Sequence, residues 1–302
     1  MKTFKTILAV AVAAMAFVGC AKEQNVELNE KVTMTYSVSL DSASGTRATP
    51  FDGSNVTHLD YKMYLLNDGN TTPTEVTGTV EKNGASFPVT LEFLKGQQYK
   101  VTFIAYKSTN FGDGKWCKYT DSSKQSVVFD YTKDAEDLFT GVFTLSASDI
   151  TTSLSLARPL AQVNLYLAKS DVDAALKVGF KTTGGVTFTL KSMANQYDLL
   201  TGTASGSAGV KSYSGAVAVA ANGYHHLGSA LVLGGEQGHN VEGEIYSIGN
   251  VQYGTDGHAV PGIPTVANHK TNVKFSSLLT GKVSYNVTLT TDFGGTEDKV
   301  IP

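Results

Sequence analysis

From Val32 to Leu40 the chain alternates apolar and small hydroxyl side chains without a break: Val32, Met34, Tyr36, Val38 and Leu40 against Thr33, Thr35, Ser37 and Ser39. Successive side chains of a strand point to opposite faces, so a period of two describes a half-buried β-strand and not a helix. The same period returns in Leu59, Tyr61, Met63 and Leu65, in Tyr99, Val101, Phe103 and Ala105, and in Val283, Tyr285, Val287 and Leu289. Turn chemistry separates the runs: Asn67-Asp68-Gly69-Asn70, Asn83-Gly84 and Gly184-Gly185 each predict a hairpin. The best helical stretch, Ser170 to Leu176 with Ser170 or Asp171 as N-cap, is barely two turns long. The chain therefore reads as all-β. Glycine is frequent from Gly202 to Gly257, but the runs Val217–Val219, Ala230–Leu233 and Ile245–Ile248 carry enough branched residues to be strands of a loop-rich sheet edge.

The first residues are of another kind. Lys2 and Lys5 precede an apolar run from Ile7 to Val18, shorter than the roughly 20 residues that span a bilayer. It reads as a secretory signal. Phe17-Val18-Gly19-Cys20 resembles a lipobox, in which the cysteine is the acylated first residue of a mature bacterial lipoprotein, and Ala21-Lys22-Glu23-Gln24 is similar to the surface-export signal of Bacteroidetes lipoproteins. With Cys20 acylated, Cys117 is the remaining thiol, so the mature chain has no intrachain disulfide and its stability rests on its core. Losing Lys2 and Lys5 takes the formal net charge from −3 to −5, too mild a balance to indicate nucleic acid or an anionic membrane surface as partner.

Two strands near opposite ends of the chain match. Met34-Thr35-Tyr36-Ser37-Val38-Ser39-Leu40 and Val283-Ser284-Tyr285-Asn286-Val287-Thr288-Leu289 share the pattern apolar-x-Tyr-x-Val-x-Leu, with small polar residues between. One groove accepts either strand by this pattern, although any two half-buried strands look somewhat alike. Shortly after the first of them, past Asp41-Ser42-Ala43-Ser44-Gly45, comes Thr46-Arg47-Ala48 in a polar connection. The arginines are Arg47 and Arg158, and Arg158 precedes Pro159, which makes its bond a poor substrate for trypsin-like proteases. An Arg-specific protease thus has one good site, although a composition that favours lysine gives the same count. If the chain is cut there, 302 − 47 = 255 residues remain, and the groove vacated by the first strand must be filled by another. A closing strand donated by a neighbouring copy, with Val283, Tyr285, Val287 and Leu289 as its anchors, would fill it and build a head-to-tail filament.

The lipobox at Cys20, the strand before Thr46-Arg47-Ala48, the segment Leu156-Ala157-Arg158-Pro159-Leu160-Ala161-Gln162-Val163 and the end from Asn272 to Leu289 together resemble the fimbrillin family of Bacteroidetes, the subunits of type V pili and their lipoprotein relatives. The resemblance implies two transthyretin-like β-sandwich domains with Greek-key-type connections behind a lipoprotein signal peptide. It implies lipidation at Cys20, processing between Arg47 and Ala48 by an Arg-specific protease, and donor-strand polymerisation with other copies or related fimbrial subunits. Localisation follows as outer membrane and cell surface, with the fimbrium as the assembled form. On this reading residues 1–19 are the signal peptide, 20–47 the lipidated propeptide with the first strand, 48–158 one sandwich and 159–302 the other. The division near Arg158-Pro159 has its own argument, because Pro159 cannot donate to a sheet ladder and the strand pattern restarts after it.

The alternative is a surface lipoprotein that keeps its first strand and holds a glycan or host protein on loops such as Thr109 to Tyr119 or Gly234 to Gly257. Phe111, Trp116 and Tyr119 would be a stacking surface in that case, or else a loop tucked onto the core. Signatures of an enzyme are missing. Adjacent His225 and His226 face opposite ways on a strand and, with His239, make no metal site of known pattern. Gly234-Gly235-Glu236-Gln237-Gly238 lacks the spacing and following helix of a phosphate loop, no GxSxG elbow exists, and no cofactor is called for. A structural, non-enzymatic protein is expected.

Overall fold

The computed structural model describes residues 30–41, 53–67, 69–207, 211–215, 218–219, 224–235, 239–276, 278–279, 284–290 and 298–300. Cys20, Arg47, Ala48 and Val283 lie outside the described residues. The chain is all-β, with one α-helix, Lys169–Leu176, among the described residues. That helix starts one residue before the expected stretch, at an Ala168 N-cap with no side-chain bond. Asp171, expected as a possible cap, is buried and accepts the backbone N–H of Leu279 at 2.9 Å instead.

Two cores organise the strands. The first lies between a three-stranded sheet, in which Lys31–Leu40 runs between Ser86–Leu94 and Ser153–Leu156, and a four-stranded sheet in the order Asn70–Glu81, His58–Asn67, Gln98–Tyr106, Leu138–Ser146. Tyr36, Val38, Leu59, Met63, Phe87, Val89, Phe93, Val101, Phe103 and Leu156 meet there with almost no exposed surface. The second core packs a six-stranded sheet, centred on Leu160–Ala168 and Lys270–Ser276, with the sheet built on Val186–Lys191 and His239–Ile248. Leu160–Ala168 runs parallel to Lys270–Ser276 and antiparallel to Tyr224–Leu233. Its near-continuous burial fits a central strand.

The turns behave in two ways. Asn67 to Asn70 closes a true hairpin, with Gly69 at φ +80°, where a side chain would be strained. Asn83-Gly84 also turns, with the Asn83 N–H donating to Ser86 O at 2.8 Å, but the strands on either side pair in different sheets, so the turn carries the chain across the core. Gly184-Gly185 does not close a hairpin. The preceding residues are not a strand, Val178 is 82 % exposed, and a 3-10 turn at Thr182–Gly184 leads into Val186–Lys191.

Between Leu156 and Leu160 the chain crosses from one core to the other. Arg158 is buried at this crossing and makes a two-point pair with Asp137, Nε to Oδ1 at 2.6 Å and Nη2 to Oδ2 at 3.0 Å. Its guanidinium also lies over the Phe139 ring at 4.6 Å. A four-stranded sheet further binds the halves, joining Cys117–Tyr119 and Ser126–Phe129 to Gln196–Asp198 and Thr203–Ser205. Trp116, Val127, Phe129 and Leu138 accordingly belong to the second core although they precede Arg158.

Candidate functional site

The leading strand Lys31–Leu40 is held on both edges. It pairs antiparallel with Ser86–Leu94 over nine residues, from Lys31 opposite Leu94 to Ser39 opposite Ser86, and parallel with Ser153–Leu156 over Ser37 to Leu40. Its alternation is obeyed: Tyr36 and Val38 are fully buried, Val32, Met34 and Leu40 half-buried, and Thr33, Thr35 and Ser37 exposed. Tyr36 and Val38 stand opposite Val89 and Phe87, and Leu40 stands beside Leu156. Ser37 N–H donates to Thr152 O and Asp41 N–H to Leu156 O, both at 2.7 Å. Without this strand, Ser86–Leu94 and Ser153–Leu156 have an empty lane between them, floored by apolar side chains.

Midway along that lane the Tyr36 hydroxyl donates to Asp149 Oδ2 at 3.2 Å, a partly buried bond. The carboxylate is held from behind by Ser146, whose backbone N–H donates to Oδ2 at 2.8 Å and whose hydroxyl donates to Oδ1 at 3.0 Å. Burial and then the Asp149 charge push the Tyr36 phenol well above its ordinary value.

The matched closing strand, Ser284–Thr290, sits elsewhere and is held differently. It pairs antiparallel with Lys270–Ser276, Val287 opposite Val273 and Tyr285 opposite Phe275, with the short Asp298–Val300 strand outside it. Tyr285 is 36 % exposed, and Val287 and Leu289 are half-buried. Over 284–289 the best-buried residue is Thr288, on the face that the pattern makes polar. Equal patterns thus have unequal burial: the leading strand fills a core, and the closing strand lies near the margin of a sheet.

The aromatic loop is not a display surface. Trp116 is 2 % exposed and packs edge-on against Phe129, while Phe111 stacks on Tyr106 at 4.0 Å and meets Tyr119 edge-on. The loop is tucked onto the core, and the indole offers no face for a sugar to stack on. What holds it down escaped sequence reasoning: the buried carboxylate of Asp60 accepts hydrogen bonds from Thr79 (2.6 Å), Tyr106 (3.0 Å) and Tyr119 (2.8 Å), with the Lys124 ammonium at 3.5 Å. The only hint in the sequence is an acidic residue inside an apolar strand pattern.

Of His225, His226 and His239, His226 Nε2 is 2.8 Å from the Ser229 hydroxyl, His239 Nε2 is 3.0 Å from Ser192 O, and His225 is buried. Among the described residues no helix is long and apolar enough to cross a membrane. A cleft of about 230 Å³ opens at the crossing between the cores, lined by Thr140, Arg158, Tyr197 and Gly234, but its guanidinium is already engaged by Asp137.

This arrangement of sheets is similar to that of solved Bacteroidetes proteins. A candidate adhesin from Bacteroides thetaiotaomicron VPI-5482 is 11% identical, with a TM-score of 0.53 over 87% of this chain and 97% of that one. A candidate adhesin from Bacteroides ovatus is 12% identical, with a TM-score of 0.51 over 90% and 96%. The tip fimbrial protein of Porphyromonas gingivalis, with a C-terminal truncation, is 11% identical, with a TM-score of 0.49 over 86% and 99%. At such identities the first two likenesses establish a shared fold. Among curated proteins none matches the sequence. Residues 23–301 match the profile of DUF6562, a family of unknown function, and the chain belongs to that family.

Proposed function

We propose that the protein is a fimbrial or adhesin-type subunit of the bacterial cell surface, exported as a lipoprotein through Cys20, cut between Arg47 and Ala48 by an Arg-specific protease, and assembled by strand exchange with other copies or related fimbrial subunits. The observation that carries this reading is the contrast between the two matched strands. Tyr36 and Val38 complete a core from a lane with a partner on either side, whereas Tyr285 and Val287 carry the same pattern half-exposed. A strand that leaves its lane exposes a groove of defined register, and the closing strand of another copy regains burial by entering it. Val38 alone is worth about 2 kcal/mol of burial, and a ladder of main-chain bonds adds directionality.

Further support comes from the second arginine. Arg158 is buried, paired with Asp137 and followed by proline, so a protease acting on the folded chain is directed to Arg47. The shared fold with two candidate adhesins agrees with a surface role. The two-sandwich division, 48–158 and 159–302, belongs to the same proposal.

Protein recovered from the producing cells tests it. N-terminal sequencing is expected to find chains that begin at Ala48 in an electrophoretic ladder, and electron microscopy after treatment with an Arg-specific protease is expected to show fibres. An uncut leader docked on a monomer, before and after protease, overturns the proposal.

A further inference from the structure

On its core-facing side the leading strand makes a polar side-chain contact that apolar patterning does not require. Tyr36 reaches Asp149 with its hydroxyl, and it is the only one of Met34, Tyr36, Val38 and Leu40 with a polar tip. Asp149 does not depend on the leader for its position, because both its oxygens are bonded to Ser146 in its own loop. The same loop supplies Thr152 O, which accepts the Ser37 N–H. The wall of the lane therefore presents a fixed carboxylate at one height. An incoming strand that places a phenol there satisfies it, and one that places an apolar ring there leaves a partly buried charge short of a donor.

We propose that Asp149 is a specificity-determining residue of the groove: it selects strands with tyrosine in the third position of apolar-x-Tyr-x-Val-x-Leu, and its partner is the closing segment of a second copy of this chain, through Tyr285. This deepens the strand-exchange reading and rests on it. Aligning Tyr285 with Tyr36 carries Val287 to the fully buried place of Val38 and Leu289 to that of Leu40. The alignment also carries Lys282 to the place of Thr33, whose register partner is Glu92. Glu92 now pairs with Lys31 at 3.1 Å, so the exchanged strand keeps a cation beside it. Ser284 falls at the place of Thr35, opposite Thr90, and continues the hydroxyl contact that Thr35 and Thr90 make at 3.0 Å.

The full chain, nicked by an Arg-specific protease or at a protease site introduced between Asp41 and Gly53, is incubated with a synthetic peptide spelling residues 281–292. Release of the leader fragment is followed by mass spectrometry. The native peptide is expected to displace the leader, and the Tyr285→Phe peptide to bind about tenfold or more weakly, as for a lost hydrogen bond to a charged group. In an Asp149→Asn chain that difference between peptides is expected to shrink to within about twofold. Equal displacement by both peptides on the native chain, or the same difference on the Asp149→Asn chain, overturns the role of Asp149 while leaving strand exchange standing. Failure of every peptide to displace the leader at millimolar concentration overturns both. Circular dichroism of the Asp149→Asn chain checks that it is folded, and an Asp149→Glu chain, which keeps the charge but moves it, is expected to lose the preference as well.

Discussion

Asp60 lies on a strand whose neighbours are apolar, 4 % exposed, and it survives there because its surroundings are all donors. Thr79, Tyr106 and Tyr119 give it three hydroxyl hydrogen bonds, and Lys124 supplies a countercharge at the surface. An Asp60→Ala substitution takes the acceptor from the half-buried Tyr106 and Tyr119 hydroxyls and from the exposed Thr79, and frees the loop that carries Tyr119. A loss of about 3 kcal/mol is expected, read as a lower urea midpoint with an unchanged slope. A loss below about 1 kcal/mol would mean that water replaces the carboxylate at no cost. The tyrosines give a second expectation. Burial, reinforced by Asp60 at Tyr106 and Tyr119 and by Asp149 at Tyr36, pushes these phenols above their ordinary value, and burial does the same at Tyr131. The unfolded chain releases these protons near pH 10, before the folded chain does. The contribution to stability is thus complete below about pH 10 and is lost as pH rises beyond it, by up to about 1.4 kcal/mol per pH unit for each tyrosine. Chemical denaturation between pH 8 and pH 11 would show a steep decline above pH 10, and a flat profile would contradict the burial of these rings.

At the scale of the element, two strands with one pattern have different energetics. Val38 has no exposed surface and touches the centre of the first core, so Val38→Ala is expected to cost about 2 kcal/mol. Val287 is half-buried near the margin of its sheet, and Val287→Ala is expected to cost under about 1 kcal/mol in the isolated subunit while impairing assembly more severely. Paired urea curves and electrophoretic ladders would measure both, and equal stability losses would remove the asymmetry on which the proposed exchange depends. The alternation in Val32–Leu40 was legible because it depends only on the strand's period. That Tyr36 is covered and Tyr285 is not was illegible, since the local sequences are nearly the same and the difference lies in which sheet receives each strand. The turns teach the same lesson. Asn83-Gly84 announced a reversal correctly, but whether the next strand returns beside the last or crosses to another sheet is decided by the core that Phe87, Val89 and Phe93 fill. Gly184-Gly185 misled because no strand precedes it: Val178 follows the short helix and is exposed. The aromatic loop was legible as either a stacking surface or a loop tucked onto the core, and its anchor at Asp60 comes from a strand 59 residues before Tyr119.

For the whole molecule, what matters is how the leading strand is tied to the rest. Each end of the connection that follows it is held: Asp41 N–H donates to Leu156 O at 2.7 Å, and Gly53 N–H donates to the Asp137 carboxylate at 2.6 Å, the carboxylate that also pairs with Arg158. A cut after Arg47 breaks no register pair of the strand and exposes none of Tyr36, Val38 or Leu40. It removes the covalent link, and a short link supplies an effective concentration of the order of millimolar. Before another copy's strand replaces it and fibres form, the nicked subunit should therefore keep its leader at micromolar protein concentration, and the two pieces should travel together in gel filtration and separate in urea. Its unfolding midpoint should fall on dilution, whereas that of the uncut chain should not, because docking has become a second-order event. Under the strand-exchange proposal, the driving force then lies in the competitor strand and not in the protease. Immediate loss of the leader on cutting, in the absence of any other strand, would show that the nine paired residues hold it too weakly for that account.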